Sequence, residues 1–354
     1  MIQRIKVLVF VLIFLFSMVF ASCIVPVKDS STNEGGGGDV QKPSELEGNQ
    51  ESSTNPETEE KPLKSGTVNF IDVGNGECIL INFPDGKNML IDCGASVDLA
   101  RKKVTAALDK LEDKRIDFFL LSHPDEEHIG NALYILKNYD VKKVYLPKIL
   151  KVNLSLFPLI DEVIKYIEEN EILCKESDYY DYINGEGYSA VFLTPKSKQG
   201  SYDRLNKTPT PSKANVNDVS PIIYLDVYGT RFVLTADAGK IEEETVISLN
   251  EINFYNQYLS GQGINVNLEQ IDFLKVSDSG DDAASSQEFL DLLKPKNAII
   301  LVSGNNYLGL PSTYVLKRLQ LCNEDYRLYR TDVCGDVLVT IKEDKTCTIK
   351  TQSD

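Results

Sequence analysis

Tryptophan is absent from this chain, and histidine occurs only twice among 354 residues, at His123 and His128. That scarcity confines any imidazole-based metal or acid–base chemistry to one short window. Cations are also in deficit: 37 Lys and Arg stand against 53 Asp and Glu, a formal net charge of −16. Such a balance speaks to solubility and partners rather than to fold. It disfavours passive attraction to nucleic acid, because strong binding there rests on a basic footprint. No internal period signals a solenoid. Apolar residues make up 42% of the chain, enough for a sizeable core, and the length suits one large or two ordinary domains.

The first residues read as an address. Arg4 and Lys6 give a positive start, Val7 to Phe20 is almost wholly apolar, and Ala21-Ser22-Cys23 follows. This order describes an export signal over residues 1–22. Cys23 at its end resembles a bacterial lipobox, in which the thiol is acylated and becomes the mature N-terminus. Phe20 departs from that pattern, where a smaller aliphatic residue is usual. An uncleaved membrane helix running to about Val27 is the alternative, since roughly 20 apolar residues span a bilayer. Either reading places the remainder on the extracytoplasmic face of a bacterial membrane. Residues 23–65 hold Gly35 to Gly38, Ser, Thr, Asn, Glu and Pro, with few large apolar side chains. Such a segment cannot offset its ordering entropy and is expected to act as a disordered acidic tether.

Seven cysteines occur. With Cys23 lipidated, six remain, an even number compatible with disulfides in an exported protein. Cys78 and Cys93 lie in apolar runs and read as buried free thiols. Cys322, Cys334 and Cys347 lie close enough together for one bridge among them.

From Gly66 the texture changes. Short apolar runs at Thr67 to Val73, Cys78 to Phe83 and Asn88 to Asp92 are separated by Gly74-Asn75-Gly76 and Pro84-Asp85-Gly86, which is strand-meander chemistry. Ser96 is placed to cap a helix in which Ala100, Val104, Leu108 and Leu111 recur at helical spacing. Ile116 to Leu121 and Val141 to Leu146 read as strands, with a helix through Ala132, Leu133 and Leu136 between them and another at Leu156 to Ile167. Lys196 to Val219 reads as a polar surface loop. Ile222 to Val227 and Arg231 to Thr235 form a hairpin around Tyr228-Gly-Thr. Strands and helices then alternate to a closing meander at Tyr326 to Tyr329, Val337 to Ile341 and Cys347 to Lys350. The pattern predicts an α/β chain: two sheets with outer helices in one domain over residues 66–354.

The sequence Ser122-His123-Pro124-Asp125-Glu126-Glu127-His128 follows an apolar strand. His123 and Asp125 are two apart, so in extended backbone they face the same way. Glu127 and His128 open the next helix and can converge from the other side. Two imidazoles and two carboxylates in one tight loop suit one or two divalent ions. The alternative is an acidic helix turn stabilised by the helix dipole.

His-x-Asp-x-x-His with Ile129-Gly130 after it resembles the metallo-β-lactamase superfamily. Within that family it is most similar to the soluble C-terminal domain of ComEC-type competence DNA-uptake proteins. Further landmarks carry the likeness in order: Phe70 to Glu77, Pro84 to Lys87, Leu90 to Gly94, Asn217 with Ser220, Leu234-Thr-Ala-Asp237, Asn305-Asn306 before Pro311, and Tyr329 to Asp332 with Gly335. The resemblance implies an αββα four-layer sandwich of two mixed sheets. It implies His123, Asp125 and His128 as metal ligands, Asp237 as a bridging carboxylate, and Asp92 beneath the site. Departures accompany these matches. Glu127 stands where the family has Asp; the family's Lys-Val-x-His-His-Gly-Ser reads Lys275-Val-Ser-Asp278-Ser279-Gly280-Asp281; a further family His is Leu310. Asp278 is then the remaining oxygen ligand for a second ion, and an oxygen-richer site shifts preference from zinc toward manganese or magnesium.

The expected activity is that of a surface-anchored metal-dependent hydrolase acting on a phosphodiester or a small neutral molecule. Asp125, Glu127 and Asp237 would be its catalytic carboxylates. Against this stands a catalytically inactive extracellular binding module on the same scaffold, and a third reading has a purely structural metal.

Overall fold

The computed structural model describes residues 64–149, 153–196 and 216–353. The export signal, Cys23 and the tether up to residue 63 lie outside the described residues, as does most of the polar loop expected between Lys196 and Val219. Among the described residues no helix is long and apolar enough to cross a membrane.

The amino-terminal half supplies strands β1 (Gly66–Phe70), β2 (Ile79–Asn82), β3 (Asn88–Ile91), β4 (Arg115–Ile116), β5 (Phe118–Leu120), β6 (Asp140–Val141), β7 (Lys143–Leu146) and β8 (Leu173–Glu176). Beyond it come β9 (Tyr182–Gly185), β10 (Tyr188–Phe192), β11 (Ile223–Val227), β12 (Thr230–Leu234), β13 (Phe273–Lys275), β14 (Asn297–Ile300), β15 (Arg327–Arg330), β16 (Val337–Ile341) and β17 (Cys347–Thr351). One sheet has the order β17-β16-β1-β2-β3-β5-β7-β8, the other β15-β14-β13-β12-β11-β10-β9, and β4 pairs with β6. Strands β3, β5, β7 and β8 run parallel, as do β12 to β15. The remaining ladders of the two large sheets are antiparallel.

Side chains alternate across each strand, and both faces here are apolar. Ile79, Ile81, Met89, Ile91, Phe232 and Leu234 point into one core with Phe70, Phe192, Phe273 and Val339, which lies between the sheets. Their neighbours Leu80 and Leu90 instead join Val104, Leu108, Ile135, Ile160, Val163 and Ile167 from the helices Asp98–Leu108, Ala132–Asn138 and Pro158–Glu169. On the far side Val233, Leu274 and Ile300 pack against Val246, Leu249, Phe289, Leu290, Val315 and Leu319. Those residues come from the helices Lys240–Glu251, Gln287–Leu293 and Thr313–Cys322. Three cores between four layers give the expected helix–sheet–sheet–helix sandwich.

Two local expectations are corrected. Ser96 does not cap the following helix, whose N-cap is Val97 without a side-chain bond. The Ser96 backbone N–H and hydroxyl both donate to Glu126 Oε1, at 2.6 Å each, because a carboxylate is a stronger acceptor and the loop between His123 and His128 brings it within reach. Among the described residues no disulfide forms, so no bridge joins Cys322, Cys334 and Cys347 to one another. Cys78 and Cys93 are buried, and burial pushes both thiols well above their ordinary pKa.

Candidate metal centre

Parallel strands end together at one edge of the sandwich, and the loops beyond those ends carry the polar residues. Asp92 follows β3 directly. His123, Asp237 and Asp278 each stand three residues past the ends of β5, β12 and β13. His128 sits on the short helix Glu126–Ile129. Both halves of the chain therefore contribute: His123 and His128 from one sheet, Asp237 and Asp278 from the other. The backbone is strained here. Asp92 (φ 53°), Ala236 (φ 42°), Asp278 (φ 46°) and Ser279 (φ 50°) all occupy the left-handed region. Such residues cost about 1–3 kcal/mol each, and they persist where surrounding structure over-determines them, often at functional sites.

The two imidazoles are buried, with ring centroids 4.0 Å apart. Each is held by its Nδ1. For His128 the partner is Asp92 Oδ2 at 2.8 Å; for His123 the partners are the hydroxyls of Ser122 and Ser220, at 3.0 and 3.2 Å. Asp92 is itself fully buried and also accepts from the backbone N–H and hydroxyl of Ser122. Both Nε2 atoms consequently face Asp237 Oδ2, at 3.7 Å from His123 and 3.3 Å from His128. A tetrahedral ion with bonds of about 2.0–2.2 Å separates its ligand atoms by roughly 3.4 Å. The spacing of His123, His128 and Asp237 thus fits a divalent cation, and these three form a metal-sized cluster. Asp125 Oδ2 lies 3.7 Å from His123 Nε2 and extends that cluster toward solvent.

Charge follows from this packing. Burial opposes ionisation of His128, but the carboxylates of Asp237 and then Asp92 outweigh it and raise the imidazole pKa well above its ordinary value. For Asp237 burial again opposes charge, yet His128, His123 and Lys275 hold the carboxyl far below the usual range. A cation held by this cluster would have to take the place of the His128 Nε2 proton, which would couple its binding to pH.

Glu127 and Asp278 are placed differently. Glu127 Oε2 accepts from Asn75 Nδ2 at 2.8 Å, and Asp278 Oδ2 accepts from Asn217 Nδ2 at 3.0 Å. Among the described residues the cluster of His123, His128 and Asp237 does not include them, nor does a second metal-sized cluster formed by Glu77, Asp92 and His128. Both line a cleft of about 460 Å³ together with Asp125, Asn75, Asn306, Tyr307 and Leu310. Asp237 therefore meets the His123 loop at coordination distance, whereas Asp278 forms part of the wall beside it.

Gly76 fixes where Glu127 sits. It adopts φ 109°, and a Cβ added there would lie 1.8 Å from the Glu127 carbonyl oxygen. Gly76→Ala combines this clash with an unfavourable backbone conformation, so a loss of roughly 3 kcal/mol or more is expected. Thermal and urea unfolding of the full chain would measure it; a variant as stable as the parent would show that the loop yields freely.

Sequence reasoning singled out neither Ser122 nor the role of Glu77 and Lys275. Those two charged residues form an ion pair and are 2% and 1% exposed. The signal was present as a lysine inside the apolar run Phe273 to Val276.

Residues 71–167 match the family model of the metallo-beta-lactamase superfamily. Over 287 residues the chain is 26% identical to ComE operon protein 3 of Bacillus subtilis (strain 168), covering 77% of this chain. It spans about a third of that relative, 32% of its length. Among solved structures, the metallo-beta-lactamase fold protein YhfI from Bacillus subtilis aligns with a TM-score of 0.45 and 10% identity, covering 78% of this chain and all of that one. Igni18, a metallo hydrolase from the archaeon Ignicoccus hospitalis, aligns at 0.46 and 13% identity, covering 78% of this chain and 100% of its own.

Proposed function

We propose, starting from a chain that is a metallo-β-lactamase superfamily protein resembling ComEC-type proteins, that it is a surface-anchored metal-dependent hydrolase. The observation that supports it is the convergence of His123 Nε2, His128 Nε2 and Asp237 Oδ2 at coordination spacing. When bound, a divalent ion lowers the pKa of a coordinated water toward neutrality and polarises an attacked oxygen. The protein's own part is to present two imidazoles through Nε2 and a buried carboxylate opposite them. Asp125 and Glu127 face the cleft, where a carboxylate can take a proton from the attacking water and pass it to the leaving group.

Zinc or manganese is the proposed ion, with magnesium an oxygen-preferring third choice and one or two ions per site. The two-ion version requires Asp278 or Glu127 to leave its amide partner. A phosphodiester is the proposed substrate class, and a small neutral ester or amide the second. Acidic surface charge is screened within about 8 Å at physiological salt, so it does not bar an anionic substrate. A nucleic-acid chain is the less favoured substrate, for want of a basic footprint in the composition.

A second reading, a catalytically inactive binding module, draws on Asp278, Ser279 and Leu310 standing at histidine positions of the resembled family, and on the Asn75–Glu127 bond. Turnover separates the two. The full chain purified in detergent should hydrolyse bis-nitrophenyl phosphate with added manganese or zinc, and His128→Ala should lower that rate at least 100-fold. Equal and negligible rates for both proteins would favour the binding module; metal retention without turnover would favour a structural ion.

The location is proposed to be the outer face of the membrane, held by lipid on Cys23. Cells expressing the chain should incorporate a clickable fatty acid into it, and Cys23→Ser should abolish the label. A labelled Cys23→Ser protein would refute the anchor.

A further inference from the structure

The metal cluster is assembled from two sheets: both histidines ride on the first, and Asp237 on the second. Something rigid must set the separation between them, because a coordination sphere tolerates only about ±0.2 Å. Lys275, at the end of β13, is 1% exposed and pairs with the Glu77 carboxylate, which is 2% exposed. Among the described residues this is the one Lys or Arg ion pair with both side chains below a tenth exposed. Lys275 Nζ also donates to the carbonyl of Ala236 at 2.6 Å. Ala236 is the strained residue directly before Asp237.

The other end of the pair reaches the histidine side. Glu77 lies between β1 and β2, and its carbonyl accepts from Gly94 at 2.9 Å. Its backbone N–H donates to the Glu127 carbonyl at 3.4 Å. A Glu77 carboxylate oxygen lies within 4.8 Å of ligand atoms of both Asp92 and His128. The pair therefore runs from the residues that orient His128 to the residue that aims Asp237.

We propose that Glu77–Lys275 is a positioning strut that fixes Asp237 opposite the two imidazoles and thereby sets metal affinity. The Ala236 carbonyl, which also accepts from Asp278 N–H at 3.2 Å, is thereby held by a buried ammonium directly before Asp237. A buried pair of this kind is also weak support for stability alone, since apolar replacements of both partners are often neutral or stabilising.

The inference rests on the metal-centre reading, and its test distinguishes the two. Lys275→Met by itself strands a buried carboxylate and is expected to unfold the domain, so the decisive variant is the apolar pair Glu77→Leu with Lys275→Met. In the full chain this double variant should fold, by circular dichroism and a cooperative melt. It should bind zinc about 10–100-fold more weakly, by competition with a chromophoric chelator, as expected when groups that orient ligands are lost. The cobalt-loaded protein should also show a shifted d–d band. A double variant that folds and binds like the parent overturns the strut while leaving the metal centre standing. One that fails to fold assigns the pair to the sandwich and overturns its site role. A parent chain that binds no ion removes both readings.

Discussion

Asp237→Asn is expected to abolish metal binding at ordinary concentrations, with more than a 100-fold loss of affinity. The carboxylate oxygen it alters faces both His123 and His128, at 3.7 and 3.3 Å. Groups that merely orient ligands are worth about 10–100-fold, and a ligand shared by both imidazoles should exceed that. The fold should survive, because Asp92 still pairs with His128 and the three cores are untouched. The readout can be thermal. An ion at 100 times its dissociation constant stabilises by about 2.7 kcal/mol, which for a domain of this size moves the melting midpoint by roughly 4–5 °C. Added zinc or manganese should shift the parent by that amount and leave Asp237→Asn where it was. Equal shifts for both proteins would remove Asp237 from the coordination sphere.

Asp92→Asn should have the second largest effect, through a proton rather than a lost ligand. Asp92 Oδ2 accepts from Ser122 Oγ and faces His128 Nδ1 at 2.8 Å. This keeps a proton on Nδ1, so Nε2 is the nitrogen that can give up its proton to a cation. An amide nitrogen in that position donates instead, so Nδ1 must accept and the proton moves to Nε2, the atom aimed at Asp237. Asn tolerates the left-handed backbone at this position, so the substitution isolates tautomer from strain. Metal affinity should fall about 10–100-fold and turnover with it, while the unfolding midpoint of the ion-free chain stays within a few degrees. If Asp92→Ser reproduces the loss and Asp92→Asn does not, packing rather than tautomer is the cause.

Most of the architecture could be read from residue order. Alternating apolar runs separated by Gly74-Asn75-Gly76 and Pro84-Asp85-Gly86 marked β1 to β3, and the clustered histidines marked the loop after β5. What escaped was local and physical. Strands β8 and β9 are half-polar edge strands, for example Leu173-Cys-Lys-Glu176, with too little apolar periodicity to stand out. In the helix Lys240–Glu251 the charged Glu242 and Glu243 are among the buried residues, which inverts the usual pattern. Glu243 accepts from the backbone N–H groups of Ser285 and Ser286, a long-range partner that no local rule anticipates.

At the site, residue types were legible and pairings were not. Asp237 meets the histidines because two sheets pack face to face, a separation of more than 100 positions in sequence. Asp278 stands equally well in the sequence, yet its carboxylate goes to Asn217 Nδ2. Ser220 reaches His123 across 97 positions, and Ser122 does so from the neighbouring position. Such choices among nearby partners are made by three-dimensional packing.

Equilibrium dialysis of the full chain against zinc and manganese, followed by elemental analysis, tests the centre most directly. The parent should retain one to two ions per chain, and a variant carrying both His123→Ala and His128→Ala should retain none above background. Retention unchanged by the double substitution, or no retention in the parent, would contradict a cation held by these two imidazoles and Asp237.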